Sequence, residues 1–221
     1  MGDYQDVLKR LVEYRKRIGM TQKQIGENLG LSQEQYSYLE NGKTKITEDN
    51  LRDFLKNGWN IDYLITGMEY KNCRTELDDV LAQFQDKEVR MFVMKLVAEM
   101  MLEKAKYKKG DAAYELLEAV INAWDDFSMT FFVREHLQMS QTEMAEKIGI
   151  GIKKYRDIEK EKRFPDAEML LTFYTMSGYQ PLLFLDYEDR RMMSMKMVWN
   201  KLSAKEKSVM LQFIQMIKSV L

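Results

Sequence analysis

Gln33, Glu34, Gln35, Ser37 and Tyr38 place five hydrogen-bonding side chains within six positions, and Asn41, Lys43 and Lys45 follow within the next seven. Side-chain amides, which donate and accept side by side, and a carboxylate, which accepts, suit flat polar partners, and two closely spaced lysines suit a polyanion. Catalytic chemistry has less to work with. His136 is the only histidine and Cys73 the only cysteine, and neither is accompanied by a Gly-rich phosphate loop or by metal-ligand spacing. The expectation is a protein without catalytic residues, metal or cofactor, with His136 on an exposed helix face.

The elements that would position these side chains are helical. Two prolines in 221 residues and sparse β-branched alternation argue for an all-α chain. A content of 45% hydrophobic and 31% charged residues is that of an ordinary globular protein. A lone cysteine and the lack of a leader pattern or an apolar run of about 18 residues point to the reducing cytosol, away from membranes. With a net charge of −1, affinity for a polyanion would have to come from locally arranged cations.

Caps and stops divide the first third into five short helices. Val7, Leu8, Leu11, Val12 and Ile18 form one stripe that stops at Gly19. Thr21 caps a helix closing at Gly30, and Ser32 caps one closing at Gly42. Thr47 caps a helix before Gly58, and Asn60 caps a last one before Gly67. Ile25, Leu29, Leu31, Tyr36 and Leu39 are the expected core of the second and third.

The stretch "GMTQKQIGENLGLSQEQYSYLENGKTK", with "IDYLITG" after it, resembles the Cro/CI, or XRE-type, helix-turn-helix family. That resemblance implies a lambda-repressor-like five-helix DNA-binding domain over residues 4 to 67, whose third helix enters the major groove. There Gln33, Glu34, Gln35, Ser37 and Tyr38 would face bases. A glutamine matches adenine N6 and N7, and a glutamate accepts from cytosine N4. Gln22, Asn41, Lys43 and Lys45 would face phosphates. For the two lysines a solvated surface is the plainer alternative. The family pattern also suggests a structural ion pair between Arg15 and Glu40.

An offset of 119 places Arg15 on Arg134, Met20 on Met139, Gln22 on Gln141, Gly30 on Gly149, Tyr36 on Tyr155 and Glu40 on Glu159. The chain contains an internal repeat. Residues 127 to 186 thus resemble a second domain of the same family, with Ser140 as a cap and Arg134 and Glu159 as its ion pair. Gly151 replaces Ser32, Ile152 replaces Gln33 and Asp157 replaces Tyr38. Six cations, Lys153, Lys154, Arg156, Lys160, Lys162 and Arg163, face three acidic residues between 151 and 163. Lys153, Lys154 and Arg156 would face bases, and Gln141, Lys160, Lys162 and Arg163 phosphates. The alternative is a copy that kept the fold and uses an exposed Ile152 for protein contact.

Amphipathic helix pairs follow each copy, in residues 75–106 and 189–221. Met91, Phe92, Leu96 and Val97 offer one stripe, and Met210, Phe213, Ile214 and Ile217 the other. They would pack on each other within the chain or form a homodimer. A helix in 110–127 would carry Trp124 toward the second copy. The expected domains are 1–70, the first helix-turn-helix; 71–109, an association segment; 110–186, the connecting helix and second helix-turn-helix; and 187–221, a C-terminal association segment. These readings converge on a transcriptional regulator, most plainly a repressor, that binds double-stranded DNA. The rival is an antitoxin-like or co-regulator module that binds a protein partner.

Overall fold

Side-chain caps set most of the helix starts. In α1 (Tyr4–Arg17) the Asp3 carboxylate accepts the N–H of Gln5. Thr21, Ser32 and Thr47 each form a reciprocal capping box with the residue three positions on, opening α2 (Gln22–Asn28), α3 (Gln33–Glu40) and α4 (Glu48–Lys56). Asn60 caps α5 (Ile61–Thr66), which stops at left-handed Gly67. The computed structural model of the chain describes residues 3–69, 74–104, 110–185 and 187–220, so Cys73 and residues 105–109 lie outside the described residues. Among the described residues the chain forms fourteen α-helices, one 3-10 turn and no strand.

The later helices are α6 (Glu76–Leu81), α7 (Lys87–Lys104), α8 (Ala112–Asn122), α9 (Met129–His136), α10 (Gln141–Lys147), α11 (Ile152–Glu159), α12 (Ala167–Ser177), α13 (Tyr187–Trp199) and α14 (Ala204–Val220). In the second copy the place of α5 is taken by a 3-10 turn, Pro181–Phe184. Pro181 starts it, with no side-chain cap bond from Gln180.

The chain gathers into two compact units. One holds residues 1–70 and 128–186, and the other holds 71–127 and 187–221. In the first unit both helix-turn-helix segments share one assembly. Val7, Leu11, Ile25, Tyr36, Leu39, Phe54 and Leu64 are buried in one copy, and Val133, Met144, Tyr155, Ile158, Leu170 and Phe173 in the other. Each buried aliphatic or aromatic side chain contributes about 1.5–3 kcal/mol, far more than any single polar contact on the rim. Trp59 sandwiches between Tyr14 and Phe54, with ring centroids 4.0 and 4.5 Å away. Ile18, expected on the buried stripe of α1, is 41% exposed because it is the C-cap, where the chain turns away from the helix axis. Leu31 and Ile152 are both half-buried, the first less covered than expected and the second more.

In the second unit α8 packs on α13 and α7, while α14 packs on α6 and α7. The two helix pairs therefore pack on each other within one chain, with Met210 and Ile214 of the second expected stripe buried and Phe213 and Ile217 half-buried. The buried face of α7 is Val93, Met94, Val97, Ala98 and Met101, offset from the expected stripe, and Phe92 is 60% exposed. The α7 sequence is apolar on so many sides that a 3.6-residue period fits more than one stripe. Trp124, at the end of α8, belongs to this unit, where the Arg191 guanidinium lies 5.0 Å from its ring and donates to its carbonyl. Lys196 pairs with Asp78 at 3.2 Å, fixing α13 to α6.

Candidate nucleic-acid interface

One carboxylate organises each helix-turn-helix. Glu40, at the end of α3, accepts Arg15 Nε at 2.6 Å and Arg15 Nη2 at 3.2 Å, and its second oxygen takes Gln22 Nε2 at 2.8 Å. Arg15 Nη1 also donates to the carbonyl of Met20 at 3.0 Å, so α1, α2 and α3 meet at a single point. In the second copy Arg134 Nε donates to Glu159 at 2.6 Å and Arg134 Nη1 to the Met139 carbonyl at 3.0 Å, and Gln141 donates to Glu159. Glu40 and Glu159 are both 7% exposed. A buried carboxylate with this many donors is well satisfied, so the frame is rigid. The bond to Glu40 also raises the Arg15 pKa, keeping the guanidinium charged.

The turn between α2 and α3 is tight for a steric reason. A Cβ at Gly26 would meet the Leu31 carbonyl at 2.9 Å, and the Leu31 N–H returns to the Gly26 carbonyl at 2.8 Å. Its counterpart in the repeat is Ala145, and there the equivalent bond, from Ile150 to Ala145, is 3.0 Å. The second copy carries a methyl at this position and keeps the same bond.

On α3, Gln33, Glu34 and Gln35 are exposed while Ser37 and Tyr38 are half-buried. Gln35 spends its carbonyl oxygen on the N–H of Ser32 at 2.8 Å, and the Tyr38 hydroxyl donates to Glu34. Ser37 accepts from Asn41 at 3.1 Å. Gln33 makes no side-chain bond among the described residues, leaving its full amide edge for a partner. Lys43 lies over the Tyr38 ring at 4.8 Å, and Lys45 pairs with Glu168 of the second copy, which raises the Lys45 pKa. The two lysines are therefore unequal: Lys43 is held by a ring face and Lys45 by a carboxylate.

Lys153, Lys154 and Arg156 are exposed on α11, and Lys160, Lys162 and Arg163 are arrayed beside the end of that helix, also exposed. Arg156 Nε donates to Gln141 Oε1 at 3.0 Å, so both amide poles of Gln141 are engaged, while Lys154 stands 4.0 Å from Asp166. Matched windows show the contrast. Residues 151–163 carry six cations and three anions, net +3, whereas the equivalent 32–44 carry Lys43 against Glu34 and Glu40, net −1.

Two features escaped the sequence. Glu161 has φ 55° where the first copy has Gly42 at φ 67°, and Gln138 has φ 54° opposite Gly19 at φ 70°. The 119-residue offset carries that signal, because a glycine matched by a long side chain marks a left-handed position kept despite its cost. The second feature is the contact between the copies, made by Glu48, Asp62, Phe164 and Glu168.

His136 is exposed and stacks with Phe132 at 5.9 Å. Among the described residues no group of histidine, cysteine, aspartate and glutamate is placed to hold a metal ion, and no helix is long and apolar enough to cross a membrane. Residues 11–56 match a family model described as helix-turn-helix, and residues 132–189 match one described as helix-turn-helix domain. No curated protein and no solved structure matched the chain.

Proposed function

We propose, for a chain that carries two XRE-type helix-turn-helix domains in tandem and is thereby a DNA-binding regulator, that it represses transcription by occupying its site, with unequal work for the two copies. The first copy supplies most of the base readout. Gln33 presents a full amide edge at the start of α3, the end of a recognition helix that reaches base edges, and Glu34 and Ser37 stand beside it. The second copy adds electrostatic affinity and a smaller share of the readout. Lys153 and Lys154 stand at the start of α11, and Lys160, Lys162 and Arg163 beside its end neutralise phosphates and release counterions.

The observation that carries this reading is the pairing of one shared Arg–Glu–Gln frame with opposite local charge, net −1 on one copy and +3 on the other. Identical frames imply the same way of docking, and different surfaces imply different contributions. Selection from a random DNA pool with the full chain tests it. An enriched sequence whose preference is relaxed by Gln33→Ala, and whose salt slope is reduced by Lys160→Ala with Lys162→Ala, is the expected result. Enrichment of no sequence, with capture of a stoichiometric protein instead, would sink it.

A further inference from the structure

The two helix-turn-helix copies meet through equivalent surfaces. α5 packs on the turn 181–184, which is its own counterpart under the 119-residue offset. The segment after α3 reaches the start of α12: Lys45 pairs with Glu168, and the Ile46 carbonyl accepts the Ala167 N–H at 3.1 Å. The reciprocal contact is also present. Phe164, the counterpart of Lys45, donates its N–H to Glu48 at 3.0 Å, and Glu48 is the counterpart of Ala167. Arg52 of α4 lies over the Phe164 ring at 4.8 Å. When surface i meets j and the equivalent j meets i, the interface is isologous, which is the signature of a two-fold rather than a head-to-tail relation.

From this we infer that the first unit is an intramolecular dimer: one chain places its two recognition helices about a local pseudo-two-fold and reads two unlike half-sites in inverted orientation. A homodimeric regulator needs a second subunit to present its second helix, whereas here the second helix is covalently attached. Binding of the second half-site is then intramolecular and does not depend on protein concentration. The inference rests on the DNA-binding reading above. It adds three things: one chain per site, two unlike boxes, and a fixed spacing between them.

The test uses the full chain and the DNA it selects. Expected are two dissimilar boxes in inverted orientation, a complex mass of one chain per duplex, and affinity on the order of 100-fold weaker when about 5 base pairs, half a helical turn, are inserted between the boxes. Gln33→Ala should alter preference in one box, and Lys153→Ala with Lys154→Ala should weaken contact at the other; all three side chains are exposed, so the fold is retained. A single box, boxes in direct repeat, indifference to the insertion or two chains per site would overturn the inference and leave the DNA-binding reading standing. Absence of any selected DNA would overturn both.

Discussion

The Asp62 carboxylate accepts the Leu182 backbone N–H at 2.8 Å while only 4% exposed, so the link between α5 and its counterpart turn passes through a buried acid. Burial pushes the Asp62 pKa from 3.8 to about 6, opposed in part by the Leu182 N–H. Between those values the folded protein holds a proton that the unfolded chain has released, so stability falls as pH rises from 3.8 to about 6 and is level above. The full span is on the order of 3 kcal/mol. Asp62→Asn keeps an acceptor and removes the charge. Its urea midpoint should vary less than the parent's between pH 4 and 7 and exceed it at pH 8; parallel pH profiles would assign the titration to another group.

Glu40 and Glu159 each serve several donors, so removing either leaves buried groups uncompensated. Glu40→Ala and Glu159→Ala should each cost about 3–5 kcal/mol in denaturant unfolding. Arg15→Ala combined with Glu40→Ala should cost clearly less than the two single losses added together, since the second change removes a charge already stranded by the first. Simple additivity in that double-mutant cycle would show that the carboxylate is not the shared anchor.

The left-handed positions differ between copies in a way that predicts opposite signs. Gln138→Gly removes the cost of a side chain at φ 54° and should stabilise the chain by about 0.5–1 kcal/mol. Gly42→Ala should destabilise it by more than about 1 kcal/mol, since the new Cβ adds a 2.7 Å approach to Leu8 Cδ1 to the strain of φ 67°. Thermal unfolding of both variants decides; a shared sign would mean that backbone conformation is not what separates the copies.

Lys43 and Lys45 should respond differently on a selected operator. Among the described residues Lys43 has no carboxylate to release, and Lys43→Ala should lower the slope of log affinity against log salt by about 1. Lys45 is already paired with Glu168, so Lys45→Ala should change the slope less, and Glu168→Gln should tighten binding by freeing that ammonium. Equal effects of the two lysine changes would contradict the asymmetry.

Much of this arrangement was legible locally. Thr21, Ser32, Thr47 and Asn60 announce their helices because capping depends on neighbours three residues away. The repeat was legible because Arg134, Gln141 and Glu159 keep the spacing of Arg15, Gln22 and Glu40. What could not be read is set by distant packing. Phe92 and Val93 are adjacent apolar residues in α7, and only the positions of α8, α13 and α14 decide that Val93 is buried and Phe92 exposed. Likewise, nothing local to Lys45 reveals Glu168, 123 positions away.

That separation has a consequence for synthesis. Residues 4–67 hold all five helices of the first copy, yet the Ile46 carbonyl, Glu48 and Asp62 each have a partner that arrives only with residues 164–182. At about 5–20 residues per second the wait is roughly 6 to 24 seconds. During it the α5 surface that will receive the turn 181–184 stays uncovered on the ribosome. Neighbouring nascent chains on one message carry the same uncovered surface and its late-arriving complement, so chain exchange between them is the misfolding route this layout must outrun.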